Sequence, residues 1–192
     1  MRVYVPATLA MLQLMITDGE LFPVSGTAFA VTPTLREAYS EGDDEELAEV
    51  ALREAALGSL RLLATDAVHD DDSDGAAESR VTVDDDARPG QAGDALPPRR
   101  AVLVADVADA LVKARPDLDD AVVRLSVPVR TSDLVAVYVD IAAAEPAVLA
   151  AMTVIDAADL GDEDAELTVG DAQDHDLAWY ATQELPFLLE LL

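Results

Sequence analysis

The stretch GDAQDHDLAWYATQELPFLLELL, residues 170–192, gathers the side chains best able to do chemistry. It holds His175, one of two histidines, and Trp179, the only tryptophan, among Asp171, Asp174, Asp176 and Glu184. A histidine among carboxylates can move protons or hold an ion pair. A tryptophan in a desolvated contact can dominate the affinity for a partner. Two further carboxylates, Asp106 near the end of RRAVLVADV and Asp140 at the end of VAVYVD, close strand-like runs. If their strands are parallel neighbours, the pair could bind Mg²⁺ or share acid and base duties. Asp after a strand is equally a helix cap or a turn residue. Asp106, Asp140 and His175 are therefore the weak catalytic candidates, and Trp179, His175 and Thr182 the candidate partner-binding residues.

No glycine-rich phosphate loop, GxSxG elbow or HExxH pair accompanies them, so no cofactor is called for. With no cysteine there is no disulfide framework, no thiolate nucleophile and no zinc site of the Cys type, which suits a reducing cytoplasm. His69 stands before Asp70, Asp71 and Asp72, a group that could hold a hard cation loosely but implies no liganding geometry, so no metal site is assigned.

The elements that would position these residues follow from the apolar pattern. RVYV at residues 2–5 reads as a strand, and Thr8 opens a helix that Asp18-Gly19 closes. GTAFAV at 26–31 reads as a second strand, and a strand-helix-strand order predicts a right-handed parallel crossover. Thr34 and Glu37 have capping-box spacing behind Pro33, and Asp43 and Glu46 repeat it before the strongest helix, DDEELAEVALREAALGSLRLLATD. There Leu47, Ala51, Leu52, Ala55, Ala56, Leu62 and Leu63 share one broad side, and Glu49 can pair with Arg53 at i,i+4. Strands follow at RRAVLVADV and at residues 121–129 and 135–140, and Glu145-Pro146 begins another helix.

The closing segment predicts a helix capped by Asp171, with Leu177, Tyr180, Ala181, Leu185 and Leu188 on one face. Glu184 falls in the middle of that face, so Glu184 and Tyr180 are the expected buried polar groups, the carboxylate needing a partner. His175, Trp179, Thr182 and Pro186 lie opposite, so the helix is expected to be covered on both sides.

At 192 residues and 51% hydrophobic content the chain fits one domain with one core. The expected fold is a single-domain α/β fold, a mixed sheet of about five strands packed with helices. Residues 68–98, rich in Asp, Gly and Pro, are expected to form a disordered acidic insertion. Pro6, Thr8 and Gln13 interrupt the apolar N-terminal stretch, which argues against a secretory signal, and no run is long enough for a membrane span.

The formal charge of −27 repels nucleic acid and anionic lipid and attracts basic proteins. A GC-rich genome, a salt-adapted host or imitation of a DNA surface would each give such a balance. MRVYVPATL, SGTAFAVTPTLREAY, RRAVLVADV and DHDLAWYATQEL together resemble a family of uncharacterised actinobacterial proteins sharing a domain of unknown function. The resemblance implies a cytoplasmic actinobacterial protein and carries no catalytic residue. The leading expectation is a soluble, non-enzymatic interaction or regulatory module with a basic protein partner, without direct nucleic-acid or membrane binding. The alternatives are a small enzyme with a carboxylate site, Mg-dependent or not, at the strand ends, and an acidic nucleic-acid mimic that binds a basic protein.

Overall fold

A computed structural model describes residues 1–39, 42–74 and 96–192. Its centre is a seven-stranded sheet. Along the chain its strands are β1 (Arg2–Ala7), β3 (Thr27–Phe29), β4 (Ala101–Asp106), β5 (Val112–Ala114), β6 (Val122–Leu125), β8 (Leu134–Val139) and β9 (Ala178–Tyr180). Two short strands, β2 (Glu20–Leu21) and β7 (Val129–Arg130), pair separately. The order across the main sheet is β5-β6-β3-β1-β4-β8-β9.

The α/β class expected from sequence is what the chain adopts, but the sheet is wider than expected and every pairing in it is antiparallel. The expected parallel crossover fails for a local reason. After α1 (Leu9–Asp18), the chain spends β2 on β7, then reverses through a tight turn in which Ser25 and Gly26 take φ of 54° and 68°. It therefore enters β3 running against β1.

β1 and β4 read as nearly unbroken apolar runs because both faces are covered. On one face Val3, Val5, Leu103, Val137 and Val139 meet Leu9, Leu12 and Met15 of α1, and Leu185 of α7 (Leu185–Glu190). On the other, Tyr4, Phe29, Val102, Val104 and Ala136 meet Leu47, Ala51, Ala55 and Ala56 of α3 (Asp44–Asp74). Each such aliphatic side chain contributes about 1.5–3 kcal/mol by leaving water. Small residues let α3 lie close to the sheet: a Cβ added at Gly58 would stand 3.1 Å from Pro6 Cβ. Ser59 locks the approach, donating to the Ala7 carbonyl at 2.7 Å and accepting from the Ala101 N–H at 2.9 Å. Farther along α3, Leu60 packs with Val148, Ile155 and Val169 of α4 (Glu145–Met152), α5 (Ile155–Asp159) and α6 (Glu163–Gln173).

The capping box at Asp43 and Glu46 is present, with each carboxylate accepting from the other residue's N–H. In α2 (Pro33–Ala38) the cap is Thr32 instead of Thr34, because Pro33 occupies the first helical position. At both ends of the insertion expected over 68–98 the chain is ordered: residues 68–74 continue α3, and Leu96 packs against the first core cluster. Residues 75–95 lie outside the described residues. Among those described, no helix is long and apolar enough to cross a membrane.

Candidate functional site

The closing segment folds differently from its expected single helix. Its helical period belongs to two other elements, with a strand between them. α6 starts earlier, at Asp162, whose carboxylate accepts from Ala165 N–H at 3.0 Å, with Glu163, Asp164 and Glu166 in the dipole-favoured first turn. Asp171 is thus inside a helix and Asp174 closes it. The chain then crosses to form β9, and Pro186 sits in the first turn of α7, where its missing N–H costs nothing.

This rearrangement moves the expected side chains. Glu184 is exposed instead of buried, because it caps its own turn: its carboxylate accepts from Ala181 N–H at 2.8 Å. Tyr180 is half-buried and packs against the first core cluster. Thr182 is half-buried in the turn before α7. Trp179, on the outermost strand, is 57% exposed.

Asp106 and Asp140 do not converge. Antiparallel register pairs Ala101 with Val139, which puts Asp140 beside Arg100 at one end of β4 and Asp106 at the other. Five residues of strand separate those ends, roughly 17 Å at 3.4 Å per residue, too far for one reacting group or a bridging metal. Asp106 is exposed and forms a two-point pair with Arg2 across the β1–β4 register, at 3.2 and 3.1 Å. The guanidinium hydrogen bond holds its carboxyl below the usual carboxylate range.

Asp140 is buried with Arg100, whose side chain is 2% exposed. Arg100 Nε donates to Oδ2 at 2.8 Å and Nη2 to Oδ1 at 2.7 Å, while the Arg100 backbone N–H reaches Oδ2 at 2.8 Å. Nη2 also donates to the His175 carbonyl at 2.8 Å, tying the α6–β9 connection to the sheet. Asp140 is therefore a structural anchor, committed to its arginine. Thr8 and Thr32, at neighbouring strand ends, cap α1 and α2.

His175 does line a site. Between α3 and the sheet lies an open cleft of about 400 Å³, lined by Tyr4, Tyr138, Arg100 and His175 and walled by Glu45, Glu49 and Arg53 of α3 and by Asp176. Ala48, Leu52, Ala56 and Leu177 supply its apolar surface. Burial pushes the Tyr4 phenol up, and Tyr138 adds to the shift while Arg2 opposes it. Tyr138 stands opposite Trp179 in the β8–β9 register, so both project from the cleft face.

Sequence reasoning missed Tyr4, Tyr138 and Arg100. The signal available was a phenol inside each of two otherwise aliphatic strands, RVYVPA and LVAVYV. Among the described residues no group of three or more His, Asp or Glu is placed to hold a metal ion.

The model of a family of unknown function, DUF6912, matches residues 1–189, and the chain belongs to that family. No curated protein and no solved structure matches it.

Proposed function

We propose that this member of the family is a non-enzymatic, cytoplasmic interaction module that docks a basic, extended segment of a partner protein along β9. The observation that carries the reading is Trp179, 57% exposed on a three-residue edge strand with a single neighbouring strand. An open edge offers backbone groups for an added strand, and a tryptophan beside it offers an anchor. Asp174, Asp176 and Glu184 are exposed on the same short segment, so the surroundings favour a cationic chain. Arg2, Arg36, Arg53, Arg61, Arg99, Arg100 and Arg115 are already paired with carboxylates elsewhere in the fold, so none of them is committed to these three.

Trp179 is the only tryptophan, so its fluorescence reports directly on docking. An alternating Lys-Val peptide should shift that emission at low salt and lose affinity as salt rises, while an alternating Glu-Val peptide should do nothing. Trp179→Ala should abolish binding measured by calorimetry while leaving the fold intact. Imitation of a nucleic-acid surface draws on the same net charge of −27 without needing the edge. It would leave the Trp179→Ala variant binding the basic peptide as well as the parent does, and that result would end the edge-docking reading.

A further inference from the structure

We infer that the cleft between α3 and the sheet binds a small zwitterion of the amino-acid class, its carboxylate inward and its ammonium group toward the acidic rim. This inference does not rest on the docking reading, and Asp176 borders both surfaces.

The inner end of the cleft is built of unspent donors. Arg100 commits Nε and Nη2 to Asp140 and the His175 carbonyl, and its other Nη makes no hydrogen bond among the described residues. The Tyr4 and Tyr138 hydroxyls and the His175 ring are likewise without a hydrogen-bond partner among those residues, although Tyr4 is only 6% exposed. None of these groups is sealed off, since the one enclosed side-chain nitrogen or oxygen lacking a partner there is Arg124 Nε. They must reach space that solvent or a ligand can enter, and all four residues line this cleft, Tyr4 lining also the neighbouring hollow beside Arg2 and Asp106. Donors that have no internal acceptor and reach an open cleft are met by water there, which an acceptor from outside can displace. A guanidinium and two phenols lining one cleft are donors that suit a carboxylate, held by charge-assisted hydrogen bonds.

The outer end has the opposite character. Glu49 is neutralised by Arg53 at 3.0 Å, whereas Glu45 and Asp176 are exposed and form no ion pair among the described residues. Arg100 and Asp140 cancel each other, so the cleft keeps an excess of negative charge at its mouth. That excess disfavours a phosphate or dicarboxylate and attracts an ammonium group. Leu52, Ala56 and Leu177 between the two ends suit an apolar side chain. The volume of about 400 Å³ falls within the range of small-ligand pockets.

Calorimetry on the full chain with three matched probes tests the assignment: L-leucine, 3-methylbutylamine, which lacks the carboxylate, and 4-methylpentanoate, which lacks the amine. L-leucine should bind saturably, and each truncated probe should bind at least about tenfold more weakly, the loss expected for one charge-assisted interaction. Tyr4→Phe and Tyr138→Phe each remove a hydroxyl without an internal partner, so both variants should fold normally and each should weaken L-leucine by up to about tenfold. Glu45→Gln with Asp176→Asn should weaken L-leucine while leaving 4-methylpentanoate unchanged or improved. The inference is overturned if L-leucine shows no saturable binding at millimolar concentration. It is equally overturned if the Tyr4→Phe/Tyr138→Phe double variant binds as tightly as the parent, or if the amine alone binds as well as the amino acid.

Discussion

Asp140→Ala should be among the most damaging single substitutions in this chain. The carboxylate accepts three hydrogen bonds from Arg100 and has no exposed side-chain surface. Removing it strands a guanidinium in a site where water can compensate only through the cleft. Loss of one partner of a buried pair costs about 3–5 kcal/mol. For a domain of this size that corresponds to a fall in Tm of roughly 10 °C. Urea unfolding, followed by far-UV circular dichroism and by Trp179 fluorescence, measures the loss. The mechanism also makes a sharper claim, that the damage comes from an abandoned charge more than from a lost attraction. Arg100→Met with Asp140→Leu should then recover most of the stability, since apolar replacements of similar volume are often neutral. Recovery should be incomplete at the α6–β9 connection, where the His175 carbonyl loses its donor. A single-variant cost below about 1 kcal/mol, or a double variant as unstable as the two single losses added, would refute the reasoning.

Gly26→Ala should destabilise by at least about 2 kcal/mol, because its φ is +68° and a Cβ would sit 2.7 Å from the Leu125 carbonyl oxygen. Gly19→Ala, with φ +79° but open space around it, should cost only about 1 kcal/mol in the same chemical denaturation series. Glu54 is held above the ordinary carboxyl range, first by burial and then by Asp119, so its ionised form opposes folding at neutral pH. Glu54→Gln should therefore stabilise at pH 7, and the advantage should vanish as pH falls through the raised folded-state value and the parent protonates. Asp159 shifts the other way, since the Arg61 hydrogen bond lowers its carboxyl. Its contribution is complete above the ordinary carboxyl range and is lost as pH falls through the depressed value. Asp159→Asn should flatten that part of the stability profile by less than about 1 kcal/mol, because the pair is half exposed.

The parts of this fold legible in the sequence are those fixed by local chemistry. Thr8 caps α1 and accepts from Met11 N–H at 3.3 Å, Gly19 ends that helix in the left-handed region, and Asp43 with Glu46 boxes the start of α3. Glu49 and Arg53 meet at 3.0 Å as their spacing requires. What sequence does not show is register. Nothing local says that Asp106 faces Arg2 and Asp140 faces Arg100, because those pairings arise only when β4 lies antiparallel between β1 and β8. The misreading of the final segment has a related cause. AWY is three residues long, too short for strand alternation to be told from one face of a helix. The cap at Asp162 and the acidic first turn of α6 mark in the sequence where that helix begins, ahead of Asp171.

The same register explains why the acidity of this chain divides into two kinds of carboxylate. Asp140 lies where strand pairing encloses it, so it must be matched atom for atom, and Arg100 does so from the adjoining strand. Carboxylates on helix starts and turns, such as Asp162, Asp43 and Glu184, are used locally on backbone N–H groups and remain in water. Only those that neither cap nor pair, Glu45 and Asp176 at the cleft among them, leave an unbalanced local field, and a field of that sign draws a cation. Arg100 links this field to the fold, since its Nη2, shared between Asp140 and the His175 carbonyl, holds the loop that carries His175 and Asp176, and the same residue lines the cleft. Geometry at the rim therefore depends on a buried ion pair, and Asp140→Ala should loosen the cleft before it unfolds the sheet.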